Sequence, residues 1–384
     1  MLSFEYSDIN QQIKDTTRKF AKEEIAPSVI ERDINGEFPT EVIKKLGELG
    51  FLGLMTSPDW GGAGMDPVSY AIAIEEISAV DASIGVVLSV QNSLVDWILE
   101  TFGNDQQKEK FLIPLASGEK LGAYCLSEPE AGSDARRQHT TAEDHGDHFV
   151  LNGMKNWIST GQNADIYIVF AQTDPEKEHR GIGCFAVERG TPGFEPQPKE
   201  DKMGMRSSDT CSIAIENVEV PRENMIGEIG QGFNIAMESL NGGRIGIAAQ
   251  AVGIAQGAFE ASVRYAQERK TFGKPIAYHQ AIALKLAQMS TQIEAARLIV
   301  HKASWLKGRH ESYIKAAAQA KLLASDVAMY AAREAIQIHG GYGYVREYHV
   351  ERMLRDAKVT EIYEGTSEIQ QIVISREVLK EFEV

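Results

Sequence analysis

The segment Ile362–Gln370, with the sequence IYEGTSEIQ, carries a glutamate between a tyrosine and a glycine. Ser367 and Gln370 have the spacing of a capping box, so the pattern predicts a turn followed by a helix that begins just after Glu364. The free backbone amides at such a helix start can bind an anion. Glu364 is either a plain surface residue or a base strengthened by partial desolvation, and this segment alone leaves both interpretations open.

Two further segments suit a nucleotide. Glu268–Lys274 (ERKTFGK) places three cations, a hydroxyl and an aromatic ring close together in a chain of net charge −16. Such a group suits a pyrophosphate and an adenine ring, although a short charged run can also be a solvated loop. His339–Gly343 (HGGYG) is expected to end a helix and to let the backbone approach a ligand, or to be a plain glycine cap.

Two segments in the middle of the chain could contact a flat polar ring. Tyr124–Asp134 (YCLSEPEAGSD) ends an apolar strand in a turn with hydroxyls and free amides, although an ordinary Pro-Gly turn would have the same sequence. Lys155–Thr160 (KNWIST) places a tryptophan beside hydroxyls at a strand end. There the indole is either the wall of an aromatic cofactor or a buried core side chain.

Several other kinds of chemistry lack their sequence motifs. The segment Gly181–Ala186 is the nearest match to a dinucleotide fingerprint, but it follows a charged loop and runs into a strand, whereas that motif must open a helix. The sequence has no P-loop, zincin or nucleophile-elbow motif. The nine histidines have no metal-ligand spacing, and Cys125, Cys184 and Cys211 form no CxxC pair. We therefore expect no metal site and no disulfide framework.

Composition limits the class of protein. The 384 residues are 43% hydrophobic and 24% charged, which is typical of a globular protein of two or three domains. The negative net charge gives no electrostatic basis for binding nucleic acid or an anionic membrane. We find no signal peptide and no stretch of about 18 apolar residues that could span a membrane. The composition predicts a soluble, cytoplasmic protein.

The elements that must position these segments change along the chain. The first 120 or so residues have helical spacing of apolar residues, and short β-like runs such as HFVLNG, DIYIVFAQ and GCFAVE then follow from Gly122 to about Gly227. The remainder is rich in alanine, leucine and glutamine, and the glycines of GRIGIAAQAVGIAQGAF predict close helix packing. The helical segments predicted there run from 232 to about 307, and over 311–338, 346–357 and 367–381. The pattern predicts three sequential domains, at 1–120, 121–229 and 230–384.

In their order along the chain, the segments YCLSEPEAGSD, KNWIST, ERKTFGK, HGGYGY and YEGTSEIQ resemble those of the acyl-CoA dehydrogenase family. The resemblance covers essentially the whole chain. It implies an α+β, mostly α fold with an N-terminal helical domain, a central β-barrel-like domain and a C-terminal four-helix bundle. It also implies a homotetramer with one FAD per subunit and electron transfer to an electron-transferring flavoprotein.

The resemblance implies a role for each matching residue. Glu364 would take the α-proton of an acyl-CoA while the β-hydrogen leaves as hydride to the flavin, which gives a trans-2-enoyl-CoA. The contacts implied with the FAD of a second subunit are Arg269, Thr271, Phe272 and Gln280, joined by Gln337 and Gly341. The other cofactor contacts implied are Leu126, Ser127, Ser133, Trp157, Ser159, Thr366 and Glu368. The substrate contacts implied are Ser133, Asn241, Arg244, Tyr363 and Gly365, where Asn241 replaces an aspartate common in relatives.

The sequence leaves alternatives for the acyl chain of the substrate, for the position of the catalytic carboxylate and for the overall function. The apolar segment Leu88–Leu94 is expected to line the acyl tail and favours a short or short-branched chain. Some members of the family place the catalytic carboxylate just before the arginine that matches Arg244, and here that residue is Gly243. Two other functions are weighed against the dehydrogenase: an acyl-CoA oxidase that passes electrons to oxygen, and a non-catalytic acyl-CoA-binding helical protein.

Overall fold

The computed structural model describes residues 5–382, and within them helices precede and follow a block of strands. The helices are α1 (Asp8–Phe20), α2 (Val29–Asn35), α3 (Thr40–Glu48), α4 (Pro67–Ser78), α5 (Ala82–Val90), α6 (Trp97–Phe102), α7 (Asp105–Gln107), α8 (Ile113–Ala116), α9 (Gly232–Glu268), α10 (Gln280–Gly308), α11 (Ile314–His339), α12 (Val350–Val359) and α13 (Ser367–Glu381). The strands are β1 (Gly122–Cys125), β2 (Thr141–Asp144), β3 (His148–Ile158), β4 (Ile166–Gln172), β5 (Ile182–Glu188), β6 (Phe194–Pro196), β7 (Cys211–Pro221), β8 (Met225–Ile226), β9 (Lys270–Thr271) and β10 (Lys274–Pro275). The predicted order of helices, strands and helices is confirmed, whereas the domain boundaries stay a prediction.

The N-terminal helices surround one apolar helix. A π-helical segment, Gln91–Asp96, joins α5 to α6, so that Ala82–Phe102 is a helix of 21 residues with a mean hydropathy of 1.4. By length and composition alone this helix could cross a membrane, although polar residues such as Gln91 and Asp96 interrupt its apolar sequence. Since 94% of its apolar window is buried inside the fold, it is a core helix of this domain.

The central strands form one eight-stranded sheet in the order β6-β7-β3-β2-β4-β5-β8, with β1 beside β4. The strand β4 is buried along its whole length, as its continuous apolar sequence predicts. The parallel pairing of β1 with β4 aligns Cys125 with Val169. The chain that leaves β1, which carries the predicted flavin contacts, therefore starts at a fixed position on the sheet.

The long helix α9 packs against the N-terminal helices through glycines. A Cβ atom added at Gly253 would lie 2.4 Å from the carbonyl oxygen of Glu75, and one at Gly257 would lie 2.2 Å from that of Ala79. No side chain fits at such distances, so the backbones of α4 and α9 are in direct contact. The close packing predicted from the glycines of α9 is confirmed.

Two predicted helix boundaries are wrong in the C-terminal part. The segment expected to be helical to about residue 307 is two helices, because α9 ends at Glu268 and the short strands β9 and β10 precede α10. Gly273, with φ of +82°, and Pro275 both interrupt helical geometry there. The helix α12 begins at Val350 rather than at 346, since His349 has a φ of +61°.

An ion pair and two hydrogen bonds of α12 join the three parts of the chain. The Arg355 guanidinium of α12 contacts the Asp33 carboxylate of the N-terminal part at 2.7 Å, and it also donates to the carbonyl oxygen of Met203 at 3.2 Å. The backbone N–H of Met205 donates to Asp356 at 2.6 Å. These bonds connect α12, directly before the turn that carries Glu364, to both other parts of the fold.

Candidate active site

Glu364 lies in the turn between α12 and α13. Two consecutive residues of this turn have left-handed backbone geometry, with φ of +50° at Glu364 and +93° at Gly365. The Gln370 side chain donates to the carbonyl oxygen of Gly365 at 2.8 Å and to that of Glu364 at 3.3 Å. Lys321 of α11 donates to the Gly365 carbonyl at 2.7 Å. The turn is thus held from two helices in a conformation that a glutamate rarely adopts.

The predicted capping box at the start of α13 is wrong. The N-cap is Thr366, one residue earlier, and its hydroxyl accepts from the backbone N–H of Ile369. Thr366 has the extended backbone that an N-cap requires, with φ of −59° and ψ of 165°. Because Gln370 bonds the carbonyls of the turn, its side chain does not reach back to an N-cap amide, and the hydroxyl of Ser367 has no hydrogen-bond partner in residues 5–382.

The Glu364 carboxylate points at the bare backbone of α9. A Cβ atom added at Gly243 would lie 2.1 Å from Oε2 of Glu364 and 3.0 Å from the Leu94 side chain. Oε2 is buried, and the described part of the chain offers it no hydrogen-bond partner. A buried carboxylate oxygen without a donor is unusual and is a reason to look for function.

The surroundings of this carboxylate favour a base that can bind a proton. Burial raises the pKa of Glu364 to about 7, although the positive charges of Lys321 and Arg244 act to lower it. Arg244 is itself buried, and its guanidinium donates to the Asn241 side chain. A carboxyl group with a pKa near neutrality can both remove a proton and keep it.

Two tyrosines near Glu364, Tyr363 and Tyr70, are hydrogen-bonded to polar side chains. Tyr363 donates to the Gln250 side chain, and burial raises the pKa of the Tyr363 phenol well above its ordinary value. The Tyr70 hydroxyl donates to Ser89 at 3.2 Å, next to Gly246 of α9. An added Cβ at Gly246 would lie 2.3 Å from that hydroxyl, so helix packing closes the space at this depth.

The two segments predicted to contact a flavin ring are brought together. The backbone N–H of Asn156 donates to the carbonyl oxygen of Ser127 at 2.8 Å, and the Lys155 ammonium donates to that of Leu126 at 3.3 Å. Lys155 also pairs with Glu128 at 2.7 Å, and both side chains are buried. A fully buried ion pair therefore fixes the turn after β1 against β3.

Trp157 is 61% exposed, so the alternative of a buried core tryptophan is wrong. Its φ of +61° and that of +62° at Thr160 bend the end of β3 and present the indole on the surface. Ser159 beside it is half-buried, and Ser133 is exposed. Trp157, Ser159 and Ser133 are therefore accessible to a ligand, whereas the side chain of Leu126, another predicted flavin contact, is buried.

A separate cavity of about 590 Å³ joins the two segments predicted to contact a nucleotide. Arg269 and Thr271 line one side of it, and His339 and Gly341 line the other. The Tyr265 ring stacks on His339 with centroids 4.2 Å apart, which gives the cavity an aromatic wall beside a cation. The lining thus combines an aromatic surface with a cation, the two features for which an adenine ring and a phosphate were predicted here.

Other predicted residues face outward. The Phe272 side chain is 96% exposed, and Gln280 and Gln337 are exposed near the same cavity. Glu368 is exposed on the first turn of α13, beside the half-buried Thr366. The cavity shares no lining residue with the surroundings of Glu364, so within one chain the predicted residues form two separate groups.

Sequence reasoning missed two features of the site. Lys321, which holds the turn, is a single lysine in the alanine-rich segment AAAQAKLLA, and a charge among apolar residues was the available signal. A basic and aromatic cluster lies at the start of α9. The guanidinium carbon of Arg136 lies 5.8 Å from the centroid of the Phe233 ring, and the centroid of the His179 ring lies 5.3 Å from it.

No group of histidine, cysteine, aspartate or glutamate side chains suited to a metal occurs among residues 5–382.

The chain matches three family models: the N-terminal domain of acyl-CoA dehydrogenase over residues 7–119, the middle domain over 123–218 and the C-terminal domain over 230–379. A short-chain specific acyl-CoA dehydrogenase of Clostridium acetobutylicum is 47% identical over 99% of this chain and 100% of its own length. The butyryl-CoA dehydrogenase structure from Megasphaera elsdenii is 47% identical with a TM-score of 0.97, covering 98% of this chain and 100% of that one. A chain in a structure of the electron transferring flavoprotein of Acidaminococcus fermentans, studied for flavin-based electron bifurcation, is 47% identical with a TM-score of 0.98, covering 99% of this chain and 100% of that one.

Proposed function

The chain belongs to the acyl-CoA dehydrogenase family, and on that premise we propose that it oxidises a short or short-branched acyl-CoA to the trans-2-enoyl-CoA, with Glu364 as the base. It is an enzyme, and its cofactor is FAD. The observation that carries the proposal is the buried Glu364 Oε2, which has no hydrogen-bond donor in the described chain and lies against Gly243.

The proton chemistry is assigned to this carboxylate. The α-proton of a thioester is far too weakly acidic for a carboxylate in water, so the site must weaken the solvation of the base. Burial already raises the pKa of Glu364 to about 7, and a substrate that displaces water raises it further. Arg244 and Lys321 limit this rise, so that a large fraction of the carboxylate is ionised at neutral pH before the substrate is bound.

Bound FAD supplies the acceptor for the hydride that leaves the β-carbon. The turn after β1, with Leu126 and Ser127, and the end of β3, with Trp157 and Ser159, would hold the flavin ring. The orphan hydroxyl of Ser367 at the start of α13 supports a phosphate site there. The remaining residues that would hold FAD are Ser133, Thr366 and Glu368 in the same subunit and Arg269, Thr271, Phe272, Gln280, Gln337 and Gly341 in a neighbouring one.

The CoA part would enter beside α9. Arg244 and Asn241 lie within one helical turn of Gly243, and Ser133, Tyr363 and Gly365 complete the predicted contacts. The cluster of Arg136, His179 and Phe233 lies about 15 Å along α9 from Gly243, at 1.5 Å of rise per residue. Cations and an aromatic ring in an otherwise acidic chain would suit the phosphates and adenine of CoA.

The acyl part is proposed to be short. The approach of Gly246 to Tyr70 and Ser89 closes the space beyond Glu364, and Leu88–Leu94 is buried next to it. The relative from Clostridium acetobutylicum is described as short-chain specific, and the Megasphaera elsdenii structure is a butyryl-CoA dehydrogenase. Butyryl-CoA is therefore the first substrate to test.

The electron acceptor is proposed to be an electron-transferring flavoprotein. A similar chain occurs in the Acidaminococcus fermentans structure of such a protein, and the exposed Trp157 offers an aromatic surface for the acceptor. We propose that the enzyme is a homotetramer, since the cavity at Arg269 lies apart from Glu364 and is proposed to serve a second subunit. We also propose that it is located in the cytoplasm.

The test is an anaerobic reaction of the purified yellow holoenzyme with straight and branched acyl-CoAs of graded length. We expect butyryl-CoA to bleach the flavin and to yield trans-2-butenoyl-CoA, with turnover that requires the flavoprotein acceptor. Turnover sustained by oxygen alone would instead identify an oxidase. The absence of bleaching with every acyl-CoA would leave only a binding protein and would overturn the proposal.

A further inference from the structure

Lys321 contacts the turn that carries the proposed base. Its side chain is fully buried, with 0% exposure, in the alanine-rich part of α11. Its ammonium donates to the carbonyl oxygen of Gly365 at 2.7 Å, and the Gln370 amide of α13 donates to the same oxygen at 2.8 Å. One carbonyl, directly after Glu364, is therefore fixed by donors from two different helices.

The conformation of the turn depends on such bonds. Glu364 has a φ of +50°, which is strained for any residue with a Cβ atom, and Gly365 follows with a φ of +93°. A strained backbone persists only where its surroundings hold it. Release of the Gly365 carbonyl would let the turn relax and move the carboxylate away from Gly243.

We infer that Lys321 is a positioning residue for the proposed base: it holds the Gly365 carbonyl so that Glu364 faces Gly243, and its charge favours the ionised form of that carboxylate. The inference rests on the proposed function, because it assigns Lys321 a role only if Glu364 removes the proton. Lys321 itself touches neither the reacting carbon nor the cofactor in this assignment.

The charge of Lys321 acts in a crowded site. The groups that face Glu364 are Lys321 of α11, Arg244 of α9, Tyr70 of α4, Tyr124 of β1 and the adjacent Tyr363. Burial raises the pKa of each tyrosine, so the three phenols stay neutral. Burial lowers the pKa of Lys321 to about 8, against the negative charges of Glu364, Glu361 and Glu368. At neutral pH the lysine is still mainly charged and lowers the pKa of Glu364.

The charge of Lys321 determines the direction in which the pH profile of the reaction moves. The base acts only when ionised, so the reaction rate rises as the pH passes through the pKa of Glu364. Loss of the Lys321 charge raises that pKa, and the rise of the rate then moves to higher pH. A purely structural lysine would instead change the maximal rate or the stability without moving the pH profile.

Three substitutions separate the charge from the hydrogen bond. Lys321→Met removes both, Lys321→Gln removes the charge but keeps an amide donor, and Lys321→Arg keeps the charge. Lys202→Met is the matched control, because Lys202 donates to the backbone carbonyl of Ser208 at 2.6 Å in another part of the fold.

The measurement is the rate of anaerobic flavin bleaching by butyryl-CoA, followed from about pH 6 to about pH 9.5 in each holoenzyme. We expect the half-maximal pH to rise by about one unit or more for Lys321→Met and Lys321→Gln, with the lower plateau in Lys321→Met. Lys321→Arg and Lys202→Met should keep the parent profile. If Lys321→Met fails to retain FAD, the comparison of Lys321→Gln with Lys321→Arg decides the question.

A second readout needs no turnover. Acetyl-CoA has no β-carbon and cannot be dehydrogenated, so its binding can be followed by calorimetry in buffers of different ionisation enthalpy. Near pH 7 the parent should take up protons as the thioester desolvates Glu364, and Lys321→Gln should take up fewer because its carboxyl group is already protonated. Parent-like pH profiles and proton uptake in Lys321→Gln and Lys321→Met would overturn the inference.

A Glu364→Gln variant distinguishes this failure from that of the proposed function. If Glu364→Gln is inactive while the Lys321 variants behave like the parent, only the role of Lys321 is wrong. If Glu364→Gln bleaches at the parent rate, the assignment of the base is wrong as well. An equal pH shift in Lys321→Arg and Lys321→Met would also contradict the inference, since it would trace the effect to shape rather than charge.

Discussion

Glu364 is held in the folded protein at a cost in stability. Burial raises its pKa from 4.5 to about 7, which means that the folded state binds the proton more tightly than the unfolded chain does. The tighter binding of this proton stabilises the folded state. The stabilisation is fully present below the pKa of the unfolded chain and is lost as the pH rises through about 7, the pKa in the folded state. At alkaline pH the carboxylate opposes folding by on the order of 1–3 kcal/mol, a range reduced for its partial solvent access.

A glutamine at position 364 should remove that cost. We expect Glu364→Gln to raise the melting temperature of the holoenzyme at about pH 8 relative to the parent, and to change it little at about pH 4, where the carboxyl group is mostly protonated in both states. Thermal unfolding of both proteins at the two pH values measures the difference. An equal shift at the two pH values would contradict the assigned pKa.

A carboxylate introduced at position 243 would lie close enough to Glu364 to take its place. A Cβ atom added at Gly243 would lie 2.1 Å from Oε2 of Glu364. In Glu364→Gly the space of that carboxylate is vacated, and Gly243→Glu would fill it from α9. We expect this double variant to recover part of the flavin-bleaching rate that Glu364→Gly loses. A double variant no faster than Glu364→Gly would exclude position 243 as an alternative origin of the base.

At the scale of elements, the ion pair of Lys155 and Glu128 joins the turn after β1 to β3. Both side chains are buried, so removal of one partner leaves an uncompensated charge. We expect Lys155→Met to lower the free energy of unfolding by about 3–5 kcal/mol, and Lys155→Met with Glu128→Gln to recover part of that loss. Denaturant unfolding of the holoenzymes compares the two. The prediction fails if the double variant is no more stable than Lys155→Met.

The elements differ in how far the sequence predicts them. The buried strand β4 and the glycine-rich helix α9 carry continuous apolar or small residues; β4 forms where expected and α9 begins where expected, although it ends earlier than predicted. The ends of helices were less predictable, because Thr366 and Ser367 are both good caps and the backbone angles decide between them. The start of α12 depends on the left-handed His349, which its sequence does not announce.

The candidate site was predictable in its motifs but not in its contacts. The order of the five segments identified the family, and the resemblance assigned the glutamate between Tyr363 and Gly365 as the proposed base. The contact of Lys321 with Gly365 joins residues far apart in the sequence, and only the packing of α11 against α13 creates it. The orphan oxygen of Glu364 likewise results from packing against α9.

At the scale of the whole molecule, the site is divided between two regions. The cavity lined by Arg269 lies apart from Glu364, so a complete cofactor site is proposed to need two subunits. We expect Arg269→Ala to weaken FAD binding by about 1.5–3 kcal/mol, because it removes a charge-assisted phosphate contact. Lys270→Ala, in the same basic segment but outside the cavity lining, is the matched control. FAD fluorescence on dilution reports the dissociation, and equal retention in Arg269→Ala and the parent would contradict the role.

The central claim is that Glu364 removes the α-proton, and the most direct test is stopped-flow flavin bleaching of Glu364→Gln by butyryl-CoA without oxygen. Glutamine keeps the size of the side chain but cannot accept the proton. FAD and butyryl-CoA should therefore still bind, while the bleaching rate falls by a factor of at least about 10²–10⁴. Bleaching of Glu364→Gln at the parent rate would contradict the account.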